Sequence, residues 1–466
     1  MDITANPDRV VFDRLVRAEA PTHTAKCFDT ACVLGGSVAG LLAARVLSDH
    51  AETVLIIERD AVDAEGPPRT GVPQDRQGHV LLPGGRTQIE RWLPGFTDES
   101  QDEGAVLVEV GRQAVYLDGR PRLPNRDLPI LSATRPFIEA GIRSRVLALP
   151  NVSALSARVA GLEFRDGAVS AARYVADHAE RVVAADFVVD AMGRSSKASE
   201  WVEQAGFQRP PLRRLRSDIN YATALFERSA DVAELPMSTL ALFTGPDAPD
   251  GVALGAALAA ENDQWMVMLT AYEPVRPPAS PEEFRATCTK LPPVFTHATR
   301  GRLTREMQTY RQADSRRRDF TALQHFPARL VSVGDAVASF NPIHGQGMSS
   351  AALYANCLSE YLTTGPQLGR AATEFFDLQA IVTDAAWTLS TGPDAARLDA
   401  LQGNEVSEDV SQHRWAMNQV LQATLSDQAI ADAFSAVSFM AAHPSILAEP
   451  ALIERAMMAN KADSYG

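Results

Sequence analysis

The hydrophobic pattern of the chain changes period several times, and each change marks an element. Ala31 to Leu34 is a short apolar run, Gly35-Gly36-Ser37-Val38-Ala39-Gly40 interrupts it, and Leu41 to Leu47 carries apolar residues at helical spacing. Thr53 to Ile57 is a second apolar run, closed by Glu58. Residues 30–60 therefore read as strand, glycine turn, helix and strand, a βαβ unit. Upstream, Val10, Val11, Leu15 and Val16 recur among charged residues and predict an amphipathic helix packed on the body or on a partner subunit. Downstream, two short strands are predicted within Ala105–Leu117 and a helix over Thr134–Leu149. Further strands are predicted over Val152–Phe164, Ala168–Ala176 and Val182–Val189, with Asp166-Gly167 turning between the first two.

From about Pro210 to Glu306 the period becomes two. Ile219, Tyr221, Thr223 and Leu225 fall on one face of a strand, and Trp265, Val267 and Leu269 on one face of another. Strands of this kind suit an antiparallel sheet that covers a cavity on one side. Leu330 to Val333 is again a buried strand, followed directly by Gly334-Asp335. The loop Asn341-Pro342-Ile343-His344-Gly345-Gln346-Gly347 then opens a helix from Met348 to Leu362. The remainder reads as helical, with breaks expected near Gly365-Pro366, Gly392-Pro393 and His443-Pro444. The expected organisation is an N-terminal helical extension (1–29), a nucleotide-binding domain (30–209 with 307–365), an antiparallel-sheet substrate domain (210–306, with parts of 100–130) and a C-terminal helical region (366–466).

Composition narrows the partners. At 466 residues, with 45% hydrophobic and 22% charged residues, the chain has the makeup of an ordinary soluble multidomain protein. Its net charge of −14 disfavours nucleic acid and anionic membrane surfaces. Cys27, Cys32, Cys288 and Cys357 have neither metal-ligand nor paired redox spacing and read as reduced thiols of a cytoplasmic protein. No apolar run approaches the roughly 20 residues of a membrane span, and Met1 to Ala20 has charges throughout, unlike a secretory signal. The pattern does not fix an oligomeric state.

The candidate chemistry begins in the βαβ unit. Gly35 suits the tight turn, Gly40 suits close helix–strand contact, and Glu58 stands where a carboxylate binds a ribose hydroxyl, with Arg59 beside it. A pyrophosphate would lie on the helix N-terminus at Val38 and Ala39, where free N–H groups and the positive end of the dipole coincide. Ser37 replaces the glycine that normally lets the backbone approach the phosphates: either its side chain tilts away or its hydroxyl adds a hydrogen bond. In the Pro- and Gly-rich connection that follows, Arg69, Gln74, Arg76 and His79 could place polar and cationic groups beside a phosphate or an anionic ring; a solvated loop fits these residues equally. The stretch Val188-Val189-Asp190-Ala191-Met192-Gly193-Arg194 reads as a buried strand opening into a glycine turn. In the loop ending at Gly347, small residues would let backbone N–H groups reach a flat ligand.

Three segments together, the Gly35–Gly40 turn, Gly334-Asp335, and the Pro342–Met348 loop, resemble the FAD-dependent monooxygenase superfamily with the para-hydroxybenzoate hydroxylase fold. Residues 69–81, 189–195 and 334–348 are most similar to its bacterial branch of polyketide-tailoring epoxidases and oxygenases. The resemblance covers most of residues 30–362. It implies an α/β fold with a Rossmann-type FAD-binding domain, an antiparallel-sheet substrate domain and a helical C-terminal region. It implies that Asp335 binds the ribityl–pyrophosphate part of FAD, and that Pro342, Gly345, Gln346 and Gly347 cradle the isoalloxazine edge. The helix from Met348 would stabilise negative charge on the pyrimidine ring. Arg135, in its Thr-Arg-Pro context, would contact the cofactor, and Val159 would lie beside the adenine. The hydroxylases' Asp-Gly motif appears here in the spaced form Asp190-Ala191-Met192-Gly193.

The expected activity is monooxygenation of a large hydrophobic, polyketide-like substrate, by epoxidation or hydroxylation through a C4a-hydroperoxyflavin, in natural-product biosynthesis. The sequence has no second glycine fingerprint, so NAD(P)H would bind transiently at the same face or a separate flavin reductase would supply electrons. Two alternatives share the cofactor motifs: a cyclase that keeps FAD as scaffold for a [4+2] ring closure, and a reductase of prenyl chains. His79 and His344 are the candidate catalytic side chains, each equally fitted to a structural hydrogen bond. Tyr221 and Trp265 are candidate substrate contacts.

Overall fold

The structure is a computed structural model, and it describes residues 6–60, 80–230, 232, 234–245 and 247–463. In chain order the elements begin with α1 (Pro7–Arg17), β1 (Phe28–Leu34), α2 (Val38–His50), β2 (Ala51–Glu58), α3 (Pro83–Trp92), α4 (Phe96–Asp102), β3 (Val106–Val108), β4 (Gln113–Leu117), β5 (Arg120–Pro121), β6 (Ile130–Ser132) and α5 (Arg135–Leu147). Next come β7 (Val152–Ser156), β8 (Arg158–Arg165), β9 (Ala168–Ala176), β10 (Ala179–Ala184), β11 (Phe187–Asp190), α6 (Ala198–Gln204), β12 (Leu212–Glu227), β13 (Ser238–Leu242), β14 (Leu254–Ala260) and β15 (Gln264–Tyr272). The last part holds α7 (Pro281–Cys288), α8 (Pro293–Ala298), β16 (Gln308–Arg318), β17 (Leu330–Ser332), β18 (Ala338–Ser339), α9 (Gln346–Thr363), α10 (Thr373–Gln402), α11 (Glu408–Ala423), α12 (Gln428–Ser438) and α13 (Pro450–Asp463).

A parallel five-stranded sheet, in the order β17-β11-β1-β2-β7, forms the Rossmann-like half. β11, β17 and the C-terminal halves of β1 and β2 are apolar and mostly buried, as strands covered on both faces are, while the edge strand β7 is half-exposed. Helix α2 lies on it and packs against α5 and α9, and α1 buries Phe12 and Leu15 into the same core. Val10, expected on the buried stripe of α1, instead points to solvent with 55% exposure, since the buried face centres on Phe12 and Leu15.

The second half is an eight-stranded sheet, β18-β16-β12-β15-β14-β13-β4-β5. It extends past residue 306 to take in β16, and it contains one parallel pair, β4 with β13, among antiparallel neighbours. Both faces of this sheet carry apolar clusters. On one face Ala222, Ala224, Phe226, Trp265, Val267 and Leu269 pack under Phe284 of α7 and Phe295 of α8. On the other, Ile219, Tyr221, Leu225, Leu254, Leu258, Met266 and Met268 form a separate apolar cluster that includes Ile343 at its edge. The expected break at Gly392-Pro393 does not occur. Helix α10 continues through Pro393 to Gln402, and the residues just beyond the proline anchor on the sheet: Asp394 on Tyr272 and Arg397 on the Ser217 carbonyl. Among the described residues no helix is long and apolar enough to cross a membrane.

Candidate functional site

The turn after β1 is built by close backbone approach. Gly35 has φ +107, and a Cβ there would lie 2.4 Å from the Ala191 carbonyl oxygen; a Cβ on Gly40 would lie 1.9 Å from that of Gly35. These two glycines let α2 start directly on the strand ends. Glu58 closes the turn from the second strand, its carboxylate accepting from the Gly36 N–H at 2.6 Å and the Asp60 N–H at 3.1 Å. A carboxylate has lone pairs left after two such bonds, so this geometry keeps Glu58 at the strand end with acceptor capacity for a ribose hydroxyl. Arg59 beside it is exposed.

Ser37 is the N-cap residue of α2, yet its side chain does not cap the helix. Its hydroxyl donates to Glu139 Oε2 at 2.6 Å and accepts from Arg135 at 3.3 Å. The side chain is thus turned onto α5, and the first turn of α2, with Val38 and Ala39, presents its backbone N–H groups without a side-chain cap. Arg135 opens α5 behind Thr134, which is held by both oxygens of Glu261 from the β14–β15 turn. That contact ties the eight-stranded sheet to the start of α5.

Asp335 lies opposite. Gly334 takes φ +63, and a Cβ there would come within 2.6 Å of Ala39, so only glycine lets the β17 turn approach the start of α2. Burial raises the Asp335 carboxyl above the ordinary carboxylate range, while the guanidiniums of Arg135 and Arg194 oppose that rise. Asp190 plays a different part from a ligand contact. Its carboxylate is buried and accepts from Ser196, Met192 N–H and Ser332, and so pins the turn after β11 to the end of β17.

The second glycine loop enters α9 through Gly345, whose left-handed φ of +68 serves as an uncapped N-cap. A Cβ on Gly347 would meet nothing within 4 Å, so open space lies beside the first turn. Gln346 and Met348 are buried, and Pro342 opens the short turn that precedes Gly345. Gln346 Oε1 and His344 Nε2 are buried without a hydrogen-bond partner among the described residues. Burial lowers His344 to about 4, so its imidazole is neutral at physiological pH. Two helix starts without side-chain caps, close glycine turns beside them and unpartnered polar atoms at the second start fit the phosphates and polar ring edge of FAD.

Behind this loop lies a network that no motif announces. Asn341, fully buried, accepts from Tyr221 OH at 3.1 Å and donates to Asp394 at 3.0 and 3.2 Å. Tyr272 OH donates to Asp394 at 2.9 Å, and the Arg397 guanidinium lies 4.0 Å over the Tyr272 ring. Burial raises the pKa values of Tyr221, Tyr272 and Asp394. The network joins the glycine loop, the eight-stranded sheet and α10 into one unit.

Tyr221 therefore stands on the face that meets the loop, whereas Trp265 does not. It lies on the opposite face, under α7 and α8, because strands buried on both sides place odd and even residues in different cores. Val159, in β8, pairs with Tyr174 and flanks the core near the end of β2. Arg69, Gln74, Arg76 and His79 lie outside the described residues.

A Rossmann-like sheet with two glycine-opened helix starts, docked on a broad sheet with an apolar face, defines the para-hydroxybenzoate hydroxylase-like flavoprotein fold. Comparison with known proteins agrees. The family described as "FAD binding domain" matches residues 153–365. Protein Rv3254 of Mycobacterium tuberculosis (strain ATCC 25618 / H37Rv) is 30% identical over 380 residues, which cover 78% of this chain and 79% of that protein. Among solved structures, p-nitrophenol 4-monooxygenase PnpA from Pseudomonas putida DLL-E4 is similar, with a TM-score of 0.63 and 16% identity over 90% of this chain and 99% of its own. The Diels-Alderase PyrE3 of the pyrroindomycin pathway is similar at a TM-score of 0.55 and 15% identity, covering 88% of this chain and 80% of its own. The chain belongs to the family of protein Rv3254, carries the FAD binding domain, and shares its fold with the monooxygenase PnpA.

Proposed function

We propose that the protein is an FAD-dependent monooxygenase that adds one oxygen atom to a carbon–carbon double bond or electron-rich ring of a large, apolar, polyketide-like molecule. One observation carries this reading: the face formed by Ile219, Tyr221, Leu254, Leu258, Met266 and Met268 ends on Ile343, in the same loop that opens α9. FAD bound there would supply, in its reduced form, the two electrons that activate O₂, the source of the added oxygen atom.

The chain's own residues then have four tasks. The first turn of α2 holds the pyrophosphate, and Glu58 holds the ribose. Asp335 holds the ribityl–pyrophosphate part between Arg135 and Arg194. The start of α9, with Gln346 and Met348, fixes the pyrimidine side of the ring, and its dipole favours negative charge there. The leucines and methionines exclude water and orient the substrate, while Tyr221 is held in place by Asn341.

An alkene needs no proton acceptor from the protein, whereas a phenol does; the carboxylate of the adjoining network is Asp394, raised by burial and held by Tyr272 and Asn341. The test is oxygenation of a polyene substrate by FAD-loaded protein with NAD(P)H under labelled O₂. Label in the product and substrate-dependent NAD(P)H oxidation are expected; full turnover without oxygen or reductant would sink the reading.

The same neutral apolar face supports a second reading, in which FAD is a scaffold and the face folds a polyene for a [4+2] ring closure. The Diels-Alderase PyrE3 has this fold. Anaerobic, reductant-free turnover would favour it. A prenyl-chain reductase would instead give a product two hydrogens heavier, without label.

A further inference from the structure

Between β7 and β11 the chain forms a three-stranded antiparallel sheet in the order β10-β9-β8, with β10 as an outer strand. Asp177 and His178, both with positive φ, make the tight turn from β9 into β10. Five of the six residues of β10 are exposed, and Val182 is 54% exposed. An open strand edge is a template for another strand, and folded proteins blunt it with proline, lysine or a bulge. Ala179-Glu180-Arg181-Val182-Val183-Ala184 has none of the three, and its register with β9 runs without irregularity.

The hydrogen-bond pattern fixes which backbone groups this edge offers. Ala185 donates its N–H to the Ser170 carbonyl at 3.0 Å, in the same register that pairs Val183 with Ala172 and Arg181 with Tyr174. Hydrogen-bonded pairs alternate along an antiparallel ladder. Ala179, Arg181 and Val183 therefore turn their N–H and C=O groups toward β9, and Glu180, Val182 and Ala184 turn theirs outward. A second β10, antiparallel across a two-fold axis, offers the same three. Centring the axis on Glu180 or Arg181 sets like charges face to face, and centring it on Val183 sets Glu180 against Asp186 of the copy. Centring on Val182 does neither: each Val182 exchanges both bonds with its copy, Glu180 pairs with Ala184, and Arg181 lies opposite Val183. The edge is also locally neutral in a chain of net charge −14, because Glu180 holds Arg173 at 3.3 Å and Asp177 holds Arg181 at 3.5 Å.

We propose that the β10 edge is a self-association surface, at which two copies of this chain join their three-stranded sheets into one continuous sheet centred on the Val182 pair. The contact is isologous and therefore closes at two copies. Main-chain bonds give it affinity, and the two exposed valines, meeting on one face, supply its apolar centre. It is short, so the dimer is reversible and its population rises with protein concentration. The oxygenation reading neither supports this surface nor depends on it.

Sedimentation velocity of the FAD-loaded, 466-residue chain over a concentration series reads the association, and a monomer–dimer equilibrium is expected. Val182→Pro removes the central outward donor without costing a bond to β9, and Val182→Lys opposes two ammonium groups. Each is expected to weaken dimerisation about tenfold or more, with flavin content and thermal melting as in wild type. Opposed residues of a hydrogen-bonded pair have Cα atoms about 5.5 Å apart, within disulfide reach. In a Cys27→Ser background, where the remaining cysteines are buried, Val182→Cys is therefore expected to form an intermolecular disulfide under mild oxidation. Val10→Cys, equally exposed on α1, is expected to link far more slowly. A dimer unchanged in both Val182→Pro and Val182→Lys would overturn the surface, as would linkage no faster at Val182→Cys than at Val10→Cys. A monomer at every concentration would also overturn it and leave the edge to a strand of another protein. Should Val182→Pro fail to fold, Val182→Lys and the disulfide carry the test.

Discussion

Gly40→Ala isolates the contact on which the cofactor turn depends. In an open helical position, replacing glycine by alanine gains about 1 kcal/mol. At Gly40 the sign should reverse, because the new Cβ would sit 1.9 Å from the Gly35 carbonyl oxygen and 3.2 Å from the Ala191 Cβ. Restoring an ordinary contact of about 3.5 Å would require α2 to lift from the turn by roughly 1.5 Å. The turn itself cannot yield easily, since β1 is paired on both sides, with β2 and β11. Overpacking of this kind costs about 1–3 kcal/mol, and the displaced helix start would no longer present its N–H groups to the pyrophosphate. Urea unfolding of the apoprotein, read by circular dichroism, together with visible flavin absorbance after purification, measures both effects. Gly347→Ala is the internal contrast: its Cβ meets nothing within 4 Å, so the apoprotein should be at least as stable while flavin binds more weakly. An apo Gly40→Ala protein as stable as wild type, carrying a full complement of FAD, would refute the reasoning.

Other expectations follow from the same geometry. Ser37→Gly should keep its flavin, since the hydroxyl serves Glu139 instead of the helix start, whereas Asp335→Ala should lose it; flavin content after gel filtration distinguishes the two. His344 is lowered from 6.5 to about 4, so the folded protein resists its protonation more than the unfolded chain does. Its contribution to stability is complete above pH 6.5 and is lost as pH falls from 6.5 toward about 4. Apoprotein melts should therefore decline less across that window in His344→Gln, and identical slopes would count against the assignment. Asp394→Ala would leave the buried Asn341 amide and Tyr272 hydroxyl short of an acceptor, at about 1–3 kcal/mol for each group. Asp394→Asn, which keeps an acceptor, should lose clearly less in thermal melts followed by flavin fluorescence.

The β1–α2–β2 unit was legible because its glycines occur at fixed offsets where the hydrophobic period switches, and the loop into α9 was legible for the same reason. The network behind that loop was not. Asn341 and Asp394 are 53 residues apart, and one buried hydrogen-bonded pair leaves no periodic trace. Pro393 added to the difficulty, since it marks a break that packing against the sheet overrides. Trp265 is a different case: with both faces of the sheet buried, alternation separates two cores and does not say which of them meets a ligand. The role of Ser37 needed the position of Glu139 on a distant helix.

The order of strands in the parallel sheet has a consequence for biosynthesis. Its central strand, β1, emerges first, but the edge strand that delivers Gly334 and Asp335 is made only after the whole of β12–β16, and the Asn341 anchor waits for α10. An N-terminal segment leaving the ribosome thus carries the glycine turn but only one wall of the crevice. On the proposed cofactor assignment, capture would be a late event, and a bound dinucleotide would clasp segments of the chain synthesised far apart in time.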